Sequence, residues 1–223
     1  MIELANFSKS FPTKQGRKYV FKDVNIILPM DKSIGVLGPN GVGKSTLIRM
    51  LGGADYATKG KIISPLKISW PLGLQGGLQG SMSGRENVRF VARIHGFSNT
   101  KVVEDKVEAF AEIGLYFDEP VKSYSSGMKA RVAFGLTMAF DFNFDVLLID
   151  ELSAVGDANF RIKSEKILFE KFKQTKVIMV NHSLGELKKY CQAGLLIKDQ
   201  RLFYFDSLNQ AIEQYETDYV KKH

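Results

Sequence analysis

Residues 2–8 and 19–28 alternate apolar with polar side chains, the period-two pattern of strands that bury one face. The polar stretch Thr13–Lys18 lies between them and predicts a turn, so the chain is expected to open with an antiparallel pair. The pattern then changes. Ser33-Ile34-Gly35-Val36-Leu37 is a short apolar run, and Leu47-Ile48-Arg49-Met50-Leu51 has helical character, which places a strand and a helix at about 33–54. Lys61-Ile62-Ile63 and Lys67-Ile68-Ser69-Trp70 predict short strands broken by Pro65. Pro71–Ser81 is rich in glycine and predicts a loop. From Gly84 to about Phe140 the period becomes helical. Val88, Val91 and Ala92, then Val103, Val107, Phe110 and Ala111, recur at helix spacing, with breaks near Gly96 and Gly114. Val146–Ile149 and Val177–Val180 are unbroken apolar runs, each followed by a helical stretch, the βα alternation of a parallel sheet. Leu195–Ile197 and Leu202–Phe205 predict a last hairpin, and Leu208–Tyr219 a closing helix at about 207–220. The expected fold is α/β: a mostly parallel core sheet, an N-terminal antiparallel β-subdomain and a helical subdomain inserted at about 84–140.

Composition narrows the class. A chain of 223 residues can build one substantial core. Its apolar runs fall far short of the ~20 residues that span a bilayer, and Met1–Ala5 lacks the basic-then-apolar pattern of a signal peptide. Cys191 is the single cysteine, which excludes a disulfide framework and a cysteine metal site. A cytosolic chain is expected. The net charge of +7 is spread out, with small clusters only at Lys188-Lys189 and Lys221-Lys222. That reads as a solvated surface rather than a nucleic-acid stripe, and it is compatible with a place near anionic lipid headgroups.

The segment between the 33–37 run and the 47–51 helix changes the picture most. It reads Gly38-Pro39-Asn40-Gly41-Val42-Gly43-Lys44-Ser45-Thr46, and strand, glycine loop, Gly-Lys-Ser/Thr and helix form the context of a phosphate-binding P-loop. Glycines let successive backbone amides converge on one anion, and the helix N-terminus adds partial positive charge. Lys44 is expected to reach the β- and γ-phosphates and the Ser45 hydroxyl to ligate Mg²⁺. Asp150-Glu151 ends the Val146–Ile149 run. A carboxylate at the end of a buried parallel strand suits a second Mg²⁺ ligand, Asp150, and Glu151 suits a general base for water. No Asn-Lys-x-Asp guanine motif occurs, so ATP is expected rather than GTP. Tyr124-Ser125-Ser126-Gly127-Met128-Lys129 precedes a helical run and reads on its own as a serine N-cap.

In this order of motifs the chain resembles the ATP-binding subunits of ABC transporters, over essentially residues 1–205, and so implies the P-loop NTPase (RecA-like) fold. The resemblance makes Ser125, Ser126 and Gly127 part of the signature loop that closes over nucleotide held by an opposing copy. Ser126 stands where the family has its first glycine, and Met128 where it has glutamine. His182, after the Val177–Val180 strand, matches the switch histidine that contacts the γ-phosphate, and Ala154–Asp157 matches the D-loop. The Q-loop glutamine, which meets Mg²⁺ and water, is Gln75 or Gln79. The aromatic that stacks on adenine is Phe11 or Tyr19. Within the family, Trp70–Gly73, Gly84–Asn87, Tyr124–Met128 and Ala154–Ala158 look most like capsular polysaccharide exporters, and less like O-antigen and teichoic-acid exporters. No appended carbohydrate-binding domain is expected in 223 residues.

The resemblance implies an ATPase that drives polysaccharide export across the inner membrane through a separate multi-spanning permease. The chain would sit on the cytoplasmic face, pair with a second copy of itself, touch glycan only indirectly and bind no nucleic acid. A soluble ABC ATPase acting on nucleic acid or ribosomes is the alternative, although such proteins carry two cassettes or long coiled coils. A metabolic P-loop kinase would leave Tyr124–Lys129 without a role.

Overall fold

In the computed structural model, residues 1–72, 78–139, 144–150 and 158–219 are described. The opening ribbon is longer than its apolar pattern predicts. β1 (Ile2–Thr13) and β2 (Gly16–Leu28) run antiparallel, with only Lys14 and Gln15 between them. Thr13 Oγ1 donates to Gly16 O at 2.8 Å and accepts from Gln15 N at 3.3 Å, closing the turn. Arg17 and Lys18 pair with Pro12 and Phe11 although all four are exposed. Alternation reports burial, and here the backbone ladder continues beyond the buried part.

β3 (Ile34–Leu37) is buried at every position and leads to α1 (Lys44–Leu51). β4 (Lys59–Ile63) pairs with β1, giving a three-stranded antiparallel sheet in the order β2-β1-β4. β5 (Ile68–Leu72) belongs to the other sheet, so the two strands separated by Pro65 part company. Three helices follow: α2 (Gly84–Ile94), α3 (Lys101–Ala111) and α4 (Ser126–Ala139). The chain then alternates β6 (Val146–Asp150), α5 (Ala158–Gln174), β7 (Lys176–Val180), α6 (Leu184–Tyr190), β8 (Ala193–Lys198), β9 (Arg201–Phe205) and α7 (Leu208–Tyr219).

The larger sheet has the order β5-β6-β7-β3-β8-β9 and is parallel except for the β8–β9 hairpin. Strands covered on both faces carry continuous apolar runs rather than alternation, as β3 and β6 do. A buried serine sets their starting level. Ser33 Oγ accepts from Val177 N at 3.1 Å, and Ser33 O accepts from Gln192 N and Ala193 N at 3.0 Å each. These bonds align the beginnings of β3, β7 and β8. Pro71 lies on the edge strand β5, where a missing amide is tolerated. Ser69 Oγ accepts from Leu148 N at 2.9 Å across the register shift beside it.

The chain forms two compact units, one of Met1–Leu72, Asn143–Leu152 and Lys171–His223, the other of Gly73–Phe142 and Ser153–Glu170. The first contains both sheets. Its core joins Leu47, Ile48, Met50 and Leu51 of α1 to strand residues such as Val36, Leu148, Ile178 and Leu195. The second contains α2, α3, α4 and most of α5. Val88, Ala92, Val103, Val107 and Ala111 meet Phe117, Tyr124 and Val132 in its core. Beside that core, Arg89 donates twice to Glu104, at 2.8 and 3.0 Å. This guanidinium holds the Glu104 carboxyl below its ordinary range. No helix of the described residues is long and apolar enough to cross a membrane.

Candidate functional site

Strand order and register bring three chain segments to one edge. β6, β7 and β3 are neighbours, and both Asp150 and Val36 lie level with Val180 of β7. The carboxyl ends of these parallel strands therefore release the Gly38 loop, Asp150 and the turn holding His182 side by side, where open α/β sheets bind ligands. Asn40, Gly41 and Gly43–Thr46, together with Val180 and His182, line a cleft of about 310 Å³.

The loop can be built only with glycine at its critical points. Gly43 has φ +114°, and a Cβ there would stand 2.3 Å from Val20 Cγ1 and 3.2 Å from Phe21 Cζ. Gly38 has φ +150°, and its Cβ would meet Val42 Cγ1 at 2.9 Å. Gly43 O then accepts from Leu47 N at 2.9 Å, so α1 starts directly from the loop and aims its first amides into the cleft. Lys44 Nζ donates to Gly38 O at 2.8 Å and to Pro39 O at 3.0 Å, which keeps the ammonium above the loop.

Ser45 Oγ donates to Asp150 Oδ1 at 3.3 Å. A hydroxyl and a carboxylate converging from separate elements form the oxygen donor set that Mg²⁺ takes, with water and phosphate oxygens completing its sphere. The residues present thus fit the ion. His182 is placed by its neighbours. Ser183 N donates to Asn181 Oδ1 at 2.8 Å, and Glu186 N donates to Ser183 Oγ at 3.3 Å, capping α6. The turn between strand and helix is fixed, and His182 lines the cleft.

The other expected site residues that the structure describes are not among those lining the cleft. Ser125 caps α4, its Oγ accepting from Met128 N at 3.2 Å, and Ser126 and Gly127 form the first turn of that helix. Both serines are exposed, and all three residues belong to the second unit; the described residues that line the cleft belong to the first. Phe11 is 42% exposed, with Lys9 Nζ 4.8 Å from its ring centre. Phe11 pairs with Lys18 and Ser10 with Tyr19, so Phe11 and Tyr19 project from opposite faces of the ribbon, and neither lines the cleft. Gln79 is exposed and its backbone amide donates to Asn87 Oδ1 at 2.6 Å. Gln75, Glu151 and Ala154–Asp157 lie outside the described residues. Val20 and Phe21, which close the space under Gly43, were legible only as strand residues, because nothing local links positions so far apart in sequence.

The sequence matches the ABC transporter family over residues 21–154. The chain belongs to that family. It is 47% identical over 220 residues to the polysialic acid transport ATP-binding protein KpsT of Escherichia coli, covering 97% of this chain and 96% of that protein. It is 42% identical over 217 residues to the capsule polysaccharide export ATP-binding protein CtrD of Neisseria meningitidis serogroup B, covering 97% and 99%. Among solved structures, a dimeric post-hydrolysis state of the ATP-binding cassette MJ0796, bound to ADP and Pi, superposes with a TM-score of 0.72 at 20% identity. The match covers 93% of this chain and 99% of that one, and it places the fold among ABC cassettes. This ABC subunit is an ATPase.

Proposed function

We propose that this chain is the ATP-binding and ATP-hydrolysing subunit of a transporter that exports a polysaccharide, capsular polysaccharide foremost, across the inner membrane through a separate membrane subunit. One observation carries the reading. The P-loop cleft belongs to a chain that shares 47% identity, along 97% of its length, with an ATP-binding protein of polysialic acid transport. Residues 1–223 act as one nucleotide-binding domain, with a helical subdomain at about 84–140 and a closing helix at about 207–220. The chain works at the cytoplasmic face of the membrane, peripherally.

The chemistry follows from the cleft. Amides of Gly38–Thr46 and the N-terminus of α1 hold the phosphates of ATP. Lys44 exchanges the Gly38 and Pro39 carbonyls for β- and γ-phosphate oxygens. Mg²⁺, held by Ser45, Asp150 and the Q-loop glutamine (Gln75, with Gln79 the alternative), supplies neutralisation of phosphate charge. Glu151 takes a proton from the attacking water, and His182 holds the γ-phosphate. Phe11 stacks on adenine, with Tyr19 the alternative.

Each chain carries one P-loop and one signature segment. Two copies arranged head to tail about a two-fold axis give two complete sites, each nucleotide held between one chain's Lys44, Ser45 and Asp150 and the other chain's Ser125, Ser126 and Gly127. Hydrolysis removes that bridge and reopens the pair, and the membrane subunit is driven by the cycle. The test is affinity purification of the chain from detergent-solubilised membranes of its host. A multi-spanning membrane protein is expected to co-purify and to raise the ATPase rate. Retention of nucleic acid instead, with a steep salt dependence, would favour the soluble alternative.

A further inference from the structure

In the helical unit, the segment after the glycine-rich loop is zipped onto the segment before Ser125. Lys122 N donates to Gly80 O and Val121 N to Met82 O, each at 2.9 Å, and Ser83 bridges Pro120 in antiparallel register. One side chain prolongs this ladder. Gly84 N donates to Tyr124 Oη at 3.0 Å, in a position closed to solvent. A Cβ on Gly84 would stand 2.5 Å from Tyr124 Oη and 3.0 Å from Phe117 Cδ2, so the close approach depends on glycine. Asn87, 1% exposed, gathers the other end. Its Oδ1 accepts from Gln79 N at 2.6 Å, and its Nδ2 donates to Gln79 O at 3.1 Å and Ser83 O at 2.8 Å. Ser83 and Glu86 form a capping box that anchors the same stretch to α2.

The Tyr124 hydroxyl is not required for packing, since phenylalanine would bury the same ring. It meets one of the first amides of α2, which no helical carbonyl can satisfy. Burial holds the hydroxyl above its usual titration range, so it stays neutral. The next residue, Ser125, caps α4 through Met128 N. Asn87 therefore ties Gln79 to Ser83, and Gly84 is bonded to Tyr124, whose covalent neighbour is Ser125.

We infer that Tyr124 is a positioning residue for ATP turnover: its hydroxyl, with the adjoining ladder, makes Gln79–Gly84 and the Ser125 loop one strap, so that displacement of the first shifts the second. The inference rests on the reading of Ser125–Gly127 as the loop that closes on the partner copy's nucleotide. Displacement of Gln79–Gly84 then reaches the signature serine through Tyr124 and the backbone ladder. Without the strap, ATP still binds at the P-loop, but Ser125 arrives out of place.

The experiment compares the parent chain with Tyr124→Phe and Ser125→Ala. It measures ATP affinity, steady-state ATPase and amide hydrogen exchange, with melting curves to establish folding. Tyr124→Phe is expected to bind ATP within about twofold of the parent, keep KM within about threefold and lose about tenfold in kcat. Exchange at Gly80–Gly84 and at Val121–Lys129 is expected to rise together, by roughly tenfold. Turnover within about twofold of the parent and unchanged exchange, while Ser125→Ala loses activity, would overturn the strap and leave the signature reading intact. Full turnover in Ser125→Ala would instead overturn the signature reading, and the functional part of this inference with it.

Discussion

Lys44 donates to two carbonyls of its own loop; at the proposed site phosphate oxygens would replace these neutral acceptors with charged ones, which form stronger hydrogen bonds. Lys44→Ala is therefore expected to weaken ATP binding by about tenfold or more, read by equilibrium dialysis with radiolabelled ATP. Asp150→Asn keeps an acceptor near Ser45 but removes the charge that suits a divalent ion. It is expected to lower the phosphate-release rate about a hundredfold at fixed Mg²⁺ and to raise the Mg²⁺ concentration giving half the maximal rate. An unchanged Mg²⁺ dependence would remove Asp150 as a ligand. At this scale the sequence was most informative. Gly38–Thr46, Asp150 and His182 each carry a chemical type tied to a local context, and strand register brings them together. The choice between Phe11 and Tyr19 for the proposed adenine contact was not legible, because their opposite faces follow from a ribbon register that includes bulges.

Whole elements depend on contacts that leave weaker marks in the sequence. α7 lies so close to β8 that a Cβ on Gly194 would stand 2.2 Å from Ala211 Cβ. Gly194→Ala is expected to push the helix from the sheet and to destabilise the fold by about 2 kcal/mol, seen in denaturant unfolding. In the helical unit, Arg89 and Glu104 join α2 to α3, with Glu104 only 2% exposed and Arg89 41%. Because the Glu104 pKa is lowered on folding, the pair stabilises the protein at neutral pH. That contribution is lost as pH falls below the ordinary carboxylate range and through the lowered folded value. Glu104→Gln is expected to cost about 2 kcal/mol at pH 7, and its difference from the parent is expected to shrink steadily as pH falls below the ordinary carboxylate range, as a series of urea titrations would show. Helix and strand types were legible here from periodicity. Sheet membership was not. β4 and β5 look alike in sequence yet join different sheets, and the bonds that level β3, β7 and β8 come from Ser33, a residue with no distinguishing local pattern.

At the scale of the molecule, the chain is an ABC ATPase subunit, and its first unit contains the P-loop, Asp150 and His182 on one sheet edge. Ser125–Gly127 belong to the second unit, at the start of a different helix. In the proposed function a second copy joins them, with ATP as the bridge and a membrane subunit as the load. Glu151→Gln isolates that proposal, because it removes the proposed base for hydrolysis and changes neither the Gly38–Thr46 segment nor Ser125. The decisive measurement is the mass of the Glu151→Gln protein by light scattering, with and without Mg²⁺ and ATP, alongside stoichiometric nucleotide retention. One chain is expected without nucleotide, and two chains holding two ATP molecules with it. A single chain carrying bound ATP, found both for the protein alone and in a second run with the membrane subunit added, would overturn the two-copy arrangement.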